Sequence, residues 1–165
     1  MNRFKQWLRR FLSEWRTRPL KRFLHDLRIG LVDVGARGGL EPRWQFIQDN
    51  VTAFMFEPDE HACQALQDSE YVERIFNVGL GQSESESLFN LCRDPAVSSL
   101  LEPNDRLLSR FPNARRFDVL AKEKMNLATL DKCLLGQQQR CDFIKLDTQG
   151  TELQILKGGA ELLQS

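Results

Sequence analysis

From Ile29 onward the chain sets short apolar runs between longer stretches whose apolar residues recur at helical spacing. That texture predicts a parallel sheet with crossover helices. Leu31–Val34 predicts a first strand, Thr52–Phe56 a second, Ile75–Val78 a third and Cys141–Leu146 a fourth, with Leu88–Leu91 as an additional edge strand. Pro42–Asp49 predicts a helix between the first two strands, with Trp44 and Ile47 turned inward. Asp59 stands where it can cap the next helix, through Ala62, Ala65 and Leu66. Thr151 and Gln154 form a capping-box pattern that opens a last helix running to Leu163. Between these parts, Arg93 to Arg116 carries Pro95, Pro103 and Pro112 and predicts a long excursion with at most short helices. Loops of that length in compact domains are usually functional or mobile.

The stretch before Ile29 has a different pattern. Phe4, Trp7, Leu8, Phe11, Leu12 and Trp15 fall on one helical stripe, and Arg3, Lys5, Arg9, Arg10 and Arg16 decorate the remainder. Pro19 interrupts this helix, after which Leu20, Phe23, Leu24 and Leu27 begin a second short stripe. The expected organisation is therefore a basic amphipathic helical extension over residues 1–28 and one α/β domain over 29–165. Net charge over the 165 residues is zero, yet nine basic residues face only Glu14 and Asp26 through Arg28, so a segment of +7 precedes a body of −7. Packing on the domain, a partner, or peripheral contact with an anionic membrane through residues 4–16 would each use such a helix. No nucleic-acid motif is present, and no apolar run approaches the roughly 20 residues of a membrane span. The basic start lacks the apolar core of a secretory signal, so a cytoplasmic location is expected. The four cysteines have no metal-type spacing and are expected as reduced, partly buried thiols, with no metal site.

Chemistry concentrates after the first two strands. Asp33-Val34-Gly35-Ala36-Arg37-Gly38-Gly39 follows a strand and precedes a helix, where glycines let the backbone turn tightly beside a ligand. Glu57 closes the second strand 24 residues after Asp33, the place where a carboxylate commonly accepts the hydroxyls of a ribose. An adenosine-containing cofactor follows from the two together. The dinucleotide fingerprint needs glycine where Arg37 stands, which favours a methyl donor, with a nucleotide-dependent oxidoreductase as the rival enzyme. A third possibility is a non-catalytic remnant working through its basic helix.

Asp33 to Gly39, Phe56-Glu57-Pro58-Asp59, Asn77-Val78-Gly79-Leu80-Gly81, Ser98-Ser99-Leu100, Thr129-Leu130-Asp131 and Phe143 to Glu152, followed by Ile155-Leu156-Lys157-Gly158, resemble the ordered motifs of FkbM-family methyltransferases. The resemblance runs from about Ile29 to Leu163. It implies a class I methyltransferase, a Rossmann-like doubly wound sheet, using S-adenosyl-L-methionine to methylate a hydroxyl on a sugar, glycan or other small-molecule acceptor. Carried over by position, it implies that Asp33, Gly35, Ala36 and Gly38 line the methionine half of the cofactor. Glu57 would hold the ribose, and Val78-Gly79 would pass near the adenine. Asp147, at the carboxyl end of the fourth strand, would face the transferred methyl group as the first catalytic candidate. A purely hydrogen-bonding role or a cap for the turn through Gly150 are the alternatives for it. Glu152 would orient Asp147 or favour the helix start, while Asp131 and His61 are expected to be structural. A complete fold of this class has three further strands after the helix ending near Leu163. The expected sheet is therefore incomplete on its C-terminal side, with order 3-2-1-4 and the fourth strand at an edge.

Overall fold

A computed structural model describes residues 23, 24, 26–136 and 141–164. Its centre is a four-stranded parallel sheet of β1 (Ile29–Val34), β2 (Val51–Phe56), β3 (Val72–Phe76) and, late in the chain, β7 (Phe143–Leu146), in the order β3-β2-β1-β7. This is the expected 3-2-1-4 order. A second sheet combines β4 (Gly79–Leu80), β5 (Ser85–Cys92) and β6 (Val119–Ala128) in the order β4-β6-β5, with β5 and β6 antiparallel. The helices are short: α1 (Pro42–Gln45), α2 (Glu60–Leu66), α3 (Asp105–Leu108), α4 (Leu130–Leu134) and α5 (Glu152–Lys157).

Period-two alternation sorts the central strands into two cores. Leu31 on β1 and Val51, Ala53 and Met55 on β2 pack with Leu40, Ile47 and Leu66 on one face. Val32, Val34, Phe54 and Phe56 pack with Leu130, Leu134, Ile155 and Leu162 on the other. Both faces are covered, so these strands are apolar at nearly every position. Phe56, Leu31 and Met55 are among the largest fully buried side chains, each contributing roughly 1.5–3 kcal/mol of burial. Leu24 joins the first core, and the Asn50 side-chain amide donates to the carbonyls of Leu24 (2.6 Å) and Leu27 (3.1 Å). Of the described residues just before Ile29, Leu24 thus packs on the domain while Phe23 and Leu27 are exposed; the predicted amphipathic helix and its stripe at residues 4–16 lie outside the described residues.

Several expected boundaries move. The third strand spans Val72–Phe76 instead of Ile75–Val78, because it is an edge strand whose charged Glu73 and Arg74 hide its start. The helix expected over Pro42–Asp49 divides into α1 and a 3-10 turn at Gln48–Asn50. The last helix stops at Lys157, capped by Gly158, and a separate 3-10 turn covers Leu162–Gln164. Thr151 does not cap it with its hydroxyl, which instead lies 2.9 Å from the Thr148 hydroxyl. Asp59 and Thr129 do cap their helices, accepting from the amides of Ala62 and Lys132 at 3.1 Å each.

The excursion contains only α3 and two 3-10 turns, at Pro95–Val97 and Ala114–Phe117. Its ends are tied together where the amides of Arg93 and Asp94 donate to the carbonyls of Asp118 (2.8 Å) and Arg116 (3.0 Å). Ion pairs Arg93–Asp118 and Arg116–Asp94 reinforce that neck. No helix among the described residues is long and apolar enough to cross a membrane. All four cysteines are free thiols, with Cys63 and Cys92 buried.

Candidate active site

A cavity of about 850 Å³ opens at the carboxyl ends of the central strands and extends under the second sheet. This is where open α/β sheets hold their ligands. Val34 and Gly35 from β1, Phe56 and Glu57 from β2, Asn77 to Gly79 after β3, and Asp147 to Gln149 after β7 form one side. Phe89, Leu91, Leu100, Ala121 and Met125 form an apolar opposite wall, with Glu123 among them.

The glycine turn is pinned to both neighbouring strands. The amides of Gly35 and Ala36 both donate to the Phe56 carbonyl, at 3.0 and 3.2 Å. On its other side Gly35 presses against β7, where a Cβ would lie 2.3 Å from the Asp147 carbonyl oxygen. Gly35 has φ +75°, a left-handed conformation that favours glycine. The Arg37 guanidinium turns back to pair with Asp59, so its charge is neutralised at the cavity edge.

Glu57 is buried, and one carboxylate oxygen accepts the Asp59 amide at 2.9 Å. Burial pushes its carboxyl above the ordinary value of 4.5, while the Asp59 amide and the Arg37 charge oppose the rise. The backbone around it is held by the Asn77 side-chain amide, which donates to the carbonyls of Glu57 (3.1 Å) and Pro58 (2.9 Å). The aromatic rings of Phe56 and Phe76 stack beneath at 4.5 Å between centroids.

Asp147 follows β7, with its amide on the Val34 carbonyl at 3.0 Å and one carboxylate oxygen accepting the Gln149 side-chain amide at 3.0 Å. The turn behind it is organised by two residues. Glu152 accepts from the amides of Thr148 and Gly150 at 3.1 Å each and from the Thr148 hydroxyl at 3.2 Å. Burial alone would raise the Glu152 carboxyl, but these donors hold it below the usual carboxylate value. The Ser99 hydroxyl reaches across from the excursion, 3.3 Å from the Thr148 carbonyl and 3.1 Å from that of Gln149. Glu152 therefore shapes the turn that carries Asp147. Glu152→Ala is expected to lower stability by about 1–2 kcal/mol, read as a lower urea midpoint. Because the folded-state value is depressed, this contribution is present above the unfolded-state 4.5 and is lost as pH falls below it.

Of the residues singled out in the sequence, Gly35, Glu57, Val78, Gly79 and Asp147 line this one cavity. Asp33, Ala36 and Gly38 do not. Ala36 is buried in the first core, and Gly38 takes φ +87° in open space. Asp33 falls on the sheet face opposite Val34 and is only 2% exposed. Its Oδ1 lies 2.9 Å from the Lys145 ammonium, outside hydrogen-bond alignment, so the contact is an ion pair. Asp131 is structural as expected, accepting the amides of Glu161 (3.2 Å) and Leu162 (2.9 Å). His61 stands at the cavity edge, a place its surface-helix setting did not suggest. Sequence reasoning also missed Ser99 and Asn77 as positioning groups, although both lie in the segments that carry the family resemblance, and missed the wall supplied by β6.

The family profile described as the methyltransferase FkbM domain matches residues 33–165. No curated protein and no solved structure matches the chain.

Proposed function

The chain belongs to the FkbM methyltransferase family, and from that premise we propose that its cavity binds S-adenosyl-L-methionine and serves methyl transfer to a hydroxyl of a small-molecule or glycan acceptor. One observation carries the proposal. A glycine turn, a buried carboxylate ending the second strand, the Val78-Gly79 turn and a carboxylate after β7, remote in sequence, converge on one cavity. The fit is favourable, since Gly35 lets the turn close against the Asp147 backbone and so brings the two ends of the cradle together. Glu57 is fixed by the Asp59 amide through one oxygen, and its carboxylate would accept the ribose hydroxyls. Val78 and Gly79 would flank the adenine.

When bound, S-adenosylmethionine supplies a methyl group already activated by its sulfonium. The protein's tasks are then to align an acceptor oxygen and to take its proton. Asp147 is the group assigned to that proton, held by Gln149 and by the turn that Glu152 and Ser99 fix. The apolar wall of Phe89, Leu91 and Met125 would exclude water and support the acceptor.

Calorimetric titration with S-adenosylhomocysteine tests the proposal, with NADH as the competing ligand of an oxidoreductase. Saturable binding of the former alone is expected. Glu57→Gln should weaken it by about tenfold or more, the loss of hydrogen bonds to a charged acceptor. Since burial raises the Glu57 carboxyl above 4.5, wild-type affinity should begin to fall on acidification before pH 4.5 is reached, and the Glu57→Gln protein should lose that dependence. A folded chain that binds NADH instead, or that binds S-adenosylhomocysteine equally well with glutamine at 57, would refute the assignment.

A further inference from the structure

Asp33 heads the glycine motif, yet its carboxylate is buried on the side of the sheet away from the cavity. Alternation along β1 requires this, since Val34 lines the cavity and the preceding side chain must take the other face. On that face Asp33 meets Lys145, its direct register partner across the β1–β7 pairing. The Lys145 ammonium lies 2.9 Å from Asp33 Oδ1 and donates to the Gly35 carbonyl at 2.9 Å. One cation therefore joins the carboxylate that opens the motif to the carbonyl at the centre of its turn. It does so from the strand that carries Asp147 two residues later.

We propose that Asp33 makes no contact with the cofactor and that Asp33, Lys145 and the Gly35 carbonyl form an internal clasp that seats the glycine turn against the end of β7. Lys145 and Asp33 are then positioning residues. Their removal acts on the cavity through Gly35, which touches both the clasp and the Asp147 backbone. A buried carboxylate without its cation is the costly state, whereas a neutral pair of similar shape is tolerated. The effect of losing Lys145 should accordingly depend on whether residue 33 carries a charge.

The inference rests on the cofactor assignment above, because the seated turn is the one assigned there to S-adenosylmethionine. S-adenosylhomocysteine is titrated into wild type, Lys145→Met, Asp33→Asn and the double variant, and the thermal midpoint of each is measured. Lys145→Met is expected to weaken binding about tenfold or more and to lower the midpoint. The double variant should recover both, with affinity within about threefold of wild type. If Asp33 instead held the ammonium of the donor, Asp33→Asn would abolish binding in both backgrounds, and that result overturns the clasp. Lys145→Met behaving as wild type also overturns it. Absence of binding by wild type would refute the cofactor assignment alone, and the midpoints would then decide. Recovery in the double variant supports the clasp, and additive losses overturn it.

Discussion

Alanine at position 35 should abolish measurable S-adenosylhomocysteine binding. Two costs combine there. The residue keeps φ at +75°, which costs a residue with a Cβ roughly 1–2 kcal/mol. The new methyl would also stand 2.3 Å from the Asp147 carbonyl oxygen, a backbone atom that cannot rotate away. Relief requires either the turn to lift from β7 or β7 to shift, and overpacking of this kind costs about 1–3 kcal/mol. Taken together, a penalty on the order of 3 kcal/mol corresponds to about a hundredfold in dissociation constant if it falls on the bound state. Either movement displaces a cavity wall, so affinity should fall beyond what lost stability explains. Titration and thermal unfolding of the same protein separate the two. An affinity within threefold of wild type would mean that this turn does not hold the cofactor.

Gly158→Ala should cause a large loss of stability although it lies away from the cavity. Gly158 ends α5 with φ −77° and ψ −2°, an ordinary helical conformation for alanine. Helix propensity would therefore favour the substitution, by up to about 1 kcal/mol. Its Cβ, however, would lie 2.2 Å from the Gly81 carbonyl oxygen and 3.3 Å from the Gln82 Cα, so the helix end must separate from the strand behind it. That movement also pulls on the hydrogen bond from the Asp131 amide to the Gly158 carbonyl, 3.0 Å long. A net loss of about 2–3 kcal/mol is expected, or about 5–10 °C in the unfolding midpoint for a chain of this size. A midpoint at or above that of wild type would show that helix propensity outweighs the contact.

The two substitutions also explain why parts of the molecule could be read from the sequence and others could not. Strands buried on both faces announce themselves, and β1 and β2 appear nearly where their apolar runs stand. The motif residues have local geometric reasons that recur in the structure. Gly158 makes room for the backbone of Gly81, which stands in a separate motif, and Ser99 and Asn77 reach the turns beside Asp147 and Glu57. The strand β6 was illegible because Lys122, Glu123 and Lys124 stand in it, mostly exposed, and its ladder with β5 is formed by backbone groups indifferent to side-chain polarity. The setting of Asp33 was hidden for a different reason. A motif names which residues travel together, but only strand parity decides which sheet face each one meets, and Asp33 and Val34 necessarily differ in it.

The tied neck of the excursion divides that segment into two zones of unequal evolutionary freedom. Between Arg93 and Leu101 the chain touches the cavity and the turn after β7, through Pro95, Ala96, Ser98 and Ser99. An insertion there would move a wall. Beyond Glu102, whose carboxylate pairs with Lys122, the tip from Pro103 to Asn113 hangs from a base already closed by backbone hydrogen bonds. A length change in that tip is charged only as loop entropy, about 0.6 kcal/mol for each doubling. New residues can therefore accumulate there, and new surfaces be tried, while β5, β6 and the cavity beneath them stay in place.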